Sequence, residues 1–380
     1  MKAITFITIF FIVFFRIPIF YTGIYISLLL GSLSSFLLLK RQFRSFFINS
    51  LGIYFLLIFI SIGIFAFAID ISTCSIINNV TNTFTLRAVM ILIMSALPAL
   101  LIVWFFVKGN DDRLIMIIYW AFALQLLFWL FTFFVPGGKD LIYALMAMSN
   151  SVNIIHDWNY YTRGFGYAIE INYTSPFVMV LTIFTLFGVG FLSLATLVTQ
   201  IFNSNNVAVA FLMATLTRIT KNNFIKAFFS IGFFAITISV FMLFYSDFLP
   251  PRLQAEINSG GMRTIGYLIQ DHFIFLNSGW FEYLFGTGNY LFQSGHEVSV
   301  DSGWVILVNY GGLFFAGLIF IFLWLLCFRA FDSKFIALVW LGAGLWLNFK
   351  GLLFSPNAYL FILFLFLFQR FFKRRFAFMV

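Results

Sequence analysis

Histidines, acids and arginines that could do chemistry fall mostly in two stretches of the chain, 136–175 and 246–300. The first holds His156-Asp-Trp158-Asn-Tyr160-Tyr161-Thr-Arg163-Gly-Phe-Gly, followed by Asn172-Tyr-Thr-Ser-Pro176. Aromatic rings beside an arginine suit a sugar diphosphate: Trp158, Tyr160 and Tyr161 can stack on pyranose faces, and the Arg163 guanidinium can grip phosphate with two hydrogen bonds. The alternative is an aromatic belt at a membrane interface with a snorkelling arginine. Both readings stay open at this point.

The second stretch opens with Pro250-Pro-Arg252 and runs on through Asn258-Ser-Gly-Gly-Met-Arg263 to Asp271-His272. Asn258 or Ser259 can cap a helix from Gly261, with Ile265, Leu268, Ile269 and Phe273 on one face at helical spacing. Arg263 would sit in its first turn, where a cation opposes the helix dipole, so an anion nearby is the natural partner. His272 reads more simply as a surface histidine. Leu284-Phe-Gly286-Thr-Gly288-Asn then offers a tight turn with exposed N–H groups. His296-Glu297 and Asp301-Ser-Gly303-Trp follow. Asp301 either caps the next helix or acts as a general base, with His296 and Glu297 close in sequence. Lys350, in Asn348-Phe-Lys-Gly, either meets a phosphate or marks an interface. No phosphate-binding glycine loop, zinc constellation or paired-aspartate metal motif is present, so neither metal nor cofactor is expected. Cys74 and Cys327 are read as unpaired.

The elements that must carry these residues are apolar. Of 380 residues 62% are hydrophobic and 9% charged, against roughly 25% charged in a soluble domain. Such a chain cannot give itself a wettable surface, so lipid is its solvent. Continuous apolar runs, not alternating ones, exclude a β-barrel. Runs at 3–15, 20–39, 46–69, 88–107, 114–135, 176–200, 224–245, 303–328, 335–347 and 352–368, with a shorter one at 207–216, predict an all-α polytopic bundle of about ten to twelve crossings. The first run is read as a helix, since no small-residue cleavage site follows it. The segment 207–216 is either a half-helix or one of three tilted, partly buried crossings within 176–217; both options leave the sides of the other loops unchanged. Gly311-Gly-Leu-Phe-Phe-Ala-Gly317 predicts close helix packing. No repeat or linker appears, so a single membrane domain is expected.

The net charge of +9 has a topological reading. With the N-terminus inside, most basic residues (Lys2, Lys40, Arg41, Arg44, Lys108, Arg113, Arg218, Lys221, Lys226, Arg329, Lys334, Arg370, Lys373, Arg374 and Arg375) fall on the cytoplasmic side, as the positive-inside rule requires. Both termini are then cytoplasmic and both polar stretches face outward. The basic residues form no contiguous patch, so nucleic acid is not expected as a partner.

The order Arg263, Leu-Phe-Gly286-Thr-Gly288-Asn, Asp301-Ser-Gly303-Trp and Leu-Val-Asn-Tyr-Gly-Gly-Leu resembles the O-antigen polymerase family of bacteria and the related O-antigen ligases. Arg163-Gly-Phe-Gly before Pro176 looks like that family's first arginine-bearing outer loop, and the Lys350 turn is similar to a basic turn in some capsular polymerases. The family layout covers the whole chain. Two departures stand out: Thr199-Gln-Ile-Phe-Asn-Ser-Asn206 lacks the family's Ser-Arg pair, and Asp301-Ser-Gly replaces the ligases' His-Asn. The second favours polymerase over ligase.

The resemblance implies a metal-independent glycosyltransferase of the bacterial inner membrane. Its donor and acceptor would both be undecaprenyl-diphosphate-linked glycans, and a chain-length regulator would be a possible partner. Arg163 and Arg263, helped by Arg252 and Lys350, would stabilise the diphosphate leaving group. Asp301, His296 or Glu297 would take the acceptor proton. The rivals are a ligase and a flippase; the concentration of charge in loops, away from spans, favours surface chemistry.

Overall fold

The computed structural model describes residues 2–19, 24–73, 83–146, 166, 174–204, 206–218, 266, 269–270, 273–276, 279–288 and 301–376. Among these the chain is helical, apart from turns and one isolated bridge between Pro18 and Tyr25. Four helices are long and apolar enough to cross a membrane: Ile53–Ser72 (α4), Phe84–Val107 (α5), Asp111–Phe134 (α6) and Gly303–Ala330 (α12). Shorter ones are Lys2–Phe14 (α1), Ile26–Ser35 (α2), Arg41–Leu51 (α3), Gly138–Met146 (α7), Thr174–Phe187 (α8), Phe191–Asn203 (α9), Val207–Thr217 (α10), Trp280–Phe285 (α11), Lys334–Lys350 (α13) and Ala358–Phe376 (α14). The expected count of ten to twelve crossings therefore depends on short helices as well as full-length ones. The expected run 224–245 lies outside the described residues.

The chain divides into two compact units: Met1–Ile26 with Asn110–Arg263, and Ser27–Gly109 with Thr264–Val380. In the first unit α1 packs on α6 through Phe10, Phe14 and Phe122, with Phe14 and Phe122 ring centroids 5.0 Å apart. The single crossing expected at 176–200 is broken at Gly188-Val-Gly190 into α8 and α9, and α10 follows. The sequence alternative placed three tilted, partly buried crossings within 176–217, and three helices occupy this range. At about 1.5 Å per residue, each is too short to cross a hydrocarbon core upright. Arg218, just past α10, donates to the Phe184 carbonyl in the last turn of α8 at 3.2 Å, so these two helices end together, with a cation at a helix C-terminus.

In the second unit the run expected at 46–69 is also two helices. Gly52, at φ 75°, separates α3 from α4. Arg41 and Arg44, expected in a loop, belong to α3 and are exposed. Helix α5 contains two π-helical stretches, Leu92–Ala96 and Val103–Val107, on either side of Pro98. Proline cannot donate to the turn before it, and a widened turn makes room for its ring. Gly31 of α2 lies against this widened turn: a Cβ there would stand 1.8 Å from the Ile93 carbonyl oxygen.

Two arginines close C-terminal helix ends in this unit. Arg329 donates to the Ser50 carbonyl through Nε at 3.2 Å and Nη2 at 3.0 Å, closing the end of α3. Arg370 donates to the carbonyls of Phe328, Arg329 and Phe331, closing the end of α12. Asp332 pairs with Arg370 at 2.7 Å and Arg374 at 2.5 Å. These basic residues thus satisfy helix-end carbonyls, a role beyond the topological one that their distribution suggested.

Candidate functional site

In the second unit, the motif residues legible in the sequence meet at one end of α12. The helix breaks at Gly311 (φ −129°, ψ 15°) and Gly312 (φ 70°, ψ −174°). The carbonyls just before the break are taken by a neighbouring segment. Thr287 donates its N–H and its hydroxyl to the Asn309 carbonyl at 2.9 and 3.0 Å, and the Gly288 N–H reaches the Tyr310 carbonyl at 2.9 Å. The contact leaves no space for side chains. A Cβ on Gly286 would lie 2.3 Å from the Tyr310 oxygen, one on Gly288 2.3 Å from Thr73 Cγ2, and one on Gly312 2.2 Å from the Leu284 carbonyl. The glycine turn is therefore a docking device: the Thr287 and Gly288 amides are spent on α12 and the Gly286 amide on Glu282, which corrects the expectation of exposed N–H groups. The close packing expected along Gly311–Gly317 is confined to the break: a Cβ on Gly317 would meet nothing within 4 Å.

Asn309 fixes a second segment. Its Oδ1 accepts from Leu276 N at 2.8 Å, and its Nδ2 donates to the Ile274 carbonyl at 3.1 Å and the Val305 carbonyl at 2.9 Å. Residues 273–276 are non-helical, so Phe273 falls outside the helical face expected for it; its ring instead lies 5.5 Å from that of Phe349.

Below the break stands a buried carboxylate that the sequence reading passed over. Asp70, at the end of α4, accepts from Thr85 N at 3.0 Å, Thr85 Oγ1 at 2.7 Å and Tyr310 Oη at 2.6 Å. It thereby joins α4, the first turn of α5 and α12. The signal available was an acid in the last turn of an apolar run.

Asp301 is exposed and precedes α12. The N-cap is Ser302, whose side chain makes no capping bond. Gly303 abuts the end of α13: its Cβ would lie 2.4 Å from the Gly351 oxygen and 2.5 Å from Asn348 Oδ1. Asp301 and Lys350 therefore flank one helix junction. Lys350 is the last residue of α13, not part of a free turn, and is half-buried there. Trp158, Tyr160, Tyr161, Arg163, Arg252, Arg263, His296 and Glu297 lie outside the described residues. Among the described residues no group of three or more His, Cys, Asp or Glu could hold a metal. Cys327 is free and buried.

In the first unit Gly166 is the described residue nearest Arg163 in the chain. Its N–H donates to Thr132 Oγ1 at 3.2 Å; at φ 64°, a Cβ would lie 2.6 Å from Gln125 Nε2. Beside it Trp129 donates to Asn203 Oδ1 at 3.3 Å, and Asn203 to Gln200 Oε1 at 2.9 Å. Phe133 stacks on Trp129 at 4.6 Å, and the Lys139 ammonium lies 5.8 Å from the Phe133 ring. Burial lowers the Lys139 pKa, and the neighbouring Asp140 offsets this only in part.

Fold and site together define an all-α polytopic membrane protein whose long apolar helices carry polar junctions at their ends. No family model, curated protein or solved structure matches the chain.

Proposed function

We propose that the chain is a polymerase of bacterial surface polysaccharide, joining repeat units carried on undecaprenyl diphosphate at the outer face of the inner membrane. The observation that carries this reading is the convergence of its motif residues. Thr287 and Gly288 are bonded to the carbonyls of Asn309 and Tyr310, and Asp301 and Lys350 flank the junction at the head of the same helix. This ties an exposed acid and a cation to a rigid helix end, the arrangement that a glycosyl transfer at a membrane surface requires.

In the proposed reaction the acceptor hydroxyl oxygen attacks the anomeric carbon of the growing glycan. The bond from that carbon to the lipid diphosphate breaks, and the diphosphate leaves with the electron pair. Asp301 takes the hydroxyl proton, with His296 and Glu297 as the other candidates. Arg163 and Arg263, with Arg252 and Lys350, balance the charge on the leaving group, and Trp158, Tyr160 and Tyr161 hold sugar rings. Both termini lie in the cytoplasm in this scheme, and a chain-length regulator is a further partner.

The test is direct. Purified protein in nanodiscs, given only lipid-linked repeat units, yields a ladder of lipid-linked oligomers. Absence of oligomers with intact, folded protein contradicts the proposal. A flippase of lipid-linked sugars is the second reading, favoured by one observation: α9 buries a polar face (Thr196, Gln200 and Asn203 among its residues) inside its unit. A flippase moves labelled lipid across a vesicle bilayer without lengthening it. A ligase lengthens nothing unless lipid A core is supplied.

A further inference from the structure

Helix α9 is inside-out. Ser193, Thr196, Gln200 and Asn203 recur at helical spacing and are each at most 2% exposed, whereas Phe191 is 89% and Val198 57% exposed on the opposite face. Lipid accounts for the apolar outer face but not for the polar inner one. Between helices in a bilayer, apolar packing serves as well, and each polar group without a partner costs stability. Hydroxyl and amide side chains turned inward ordinarily bond across to a neighbouring helix, so those left buried without a partner call for an explanation.

The chemistry of the face is specific. It carries no charge that could pair with a phosphate. Hydroxyl and amide groups both donate and accept, which matches the hydroxyls of a sugar ring. Partners are found at one end only. Gln200 donates to Thr199 Oγ1 at 3.4 Å and accepts from Asn203, which in turn accepts from Trp129. At the other end Ser193 Oγ and Thr196 Oγ1, together with Thr182 Oγ1 of the adjoining α8, are buried with no hydrogen-bond partner. Trp129 and Phe133 supply rings beside the satisfied end, each about 6 Å from Phe202. Gly166, three residues beyond Arg163, is bonded to the same helix, α6, that carries Trp129.

We propose that the inward face of α9 is a binding subsite for an uncharged polyhydroxyl group, a sugar ring of the lipid-linked glycan, whose hydroxyls bond Ser193, Thr196 and Thr182. The identity of that ligand rests on the polymerase reading; the site's preference for an uncharged polyol does not.

The experiment compares two probes on the full chain in nanodiscs: the tritiated lipid-linked oligosaccharide extracted from the host, and the same polyprenyl diphosphate without sugar. The double variant Ser193→Ala/Thr196→Val removes two unpartnered hydroxyls at nearly constant shape. It is expected to bind the oligosaccharide at least about tenfold more weakly, to bind the bare lipid diphosphate as before, and to melt at or above the wild-type temperature, since buried unpaired hydroxyls are lost. Equal affinity for the oligosaccharide overturns the subsite while leaving the polymerase reading intact. A lower melting temperature with both probes weakened assigns the hydroxyls to structure and also overturns it. Failure of the wild type to bind either probe removes the polymerase reading, and the sugar subsite with it.

Discussion

Gly312→Ala tests the docking of the 284–288 segment on the broken helix. At φ 70° and ψ −174° the residue occupies a region essentially reserved for glycine, where a side chain costs about 1–3 kcal/mol. The added Cβ would also lie 2.2 Å from the Leu284 carbonyl carbon and oxygen and 2.4 Å from Phe285 N. All of these are backbone atoms, so relief requires moving α11, for roughly another 1–3 kcal/mol of overpacking. The total is roughly 2–6 kcal/mol. Gly317→Ala is the control: it lies in regular geometry on the same helix with nothing within 4 Å of the new Cβ, and alanine there gains about 0.5–1 kcal/mol in helix propensity. One chemical change at two positions of one helix should therefore shift stability in opposite directions. Heating detergent-solubilised protein in steps, then measuring the monodisperse fraction by size exclusion, reads the difference. Gly312→Ala melting at or above the wild type would refute the reasoning.

Further expectations follow from other contacts. Gly31→Ala places a methyl 1.8 Å from the Ile93 carbonyl oxygen, so it should lower the melting temperature by several degrees, while Gly63→Ala, with nothing within 4 Å, should not. Asp70→Ala removes the acceptor for Thr85 N and Oγ1, at roughly 1–3 kcal/mol for each donor left buried and unpaired; Asp70→Asn, which keeps an acceptor oxygen, should melt higher than Asp70→Ala. Burial raises the pKa of the Asp332 carboxyl, but Arg370 and Arg374 outweigh it and hold the group below its ordinary value. Its stabilisation is therefore present above about pH 4 and lost as pH falls through the lowered value. The carboxylate is mostly exposed, so the effect should be under about 1 kcal/mol; the melting difference between wild type and Asp332→Asn should vanish in acid and shrink in high salt. Asp301→Asn should cut oligomer formation about a hundredfold or more with the melting temperature held, and unchanged output would exclude it as the base.

The membrane class was legible because span length and apolarity are local properties: the run expected at 114–135 is Asp111–Phe134, and the one expected at 303–328 begins at Gly303. Breaks inside apolar runs were not. Hydropathy registers the apolarity of 46–69 and 176–200 but not the helix breaks at Gly52 (φ 75°) and Gly188 (φ 69°). The polar face of α9 was hidden for a related reason, since averaging along a run conceals which side its serine, threonines and amides occupy. Gly286, Gly288, Gly311 and Gly312 could be picked out singly, but their mutual fit is a contact between distant segments that no spacing rule reports. Asp70 was overlooked because one acid at the edge of a span resembles an ordinary boundary residue.

The central claim is tested most directly by deleting the gene in its own host and separating the surface polysaccharide by size on a gel. The account predicts loss of the ladder, leaving core bearing a single repeat unit, with restoration by the wild-type gene. An unchanged ladder would contradict it, and core without any repeat would assign the protein to ligation or lipid flipping instead.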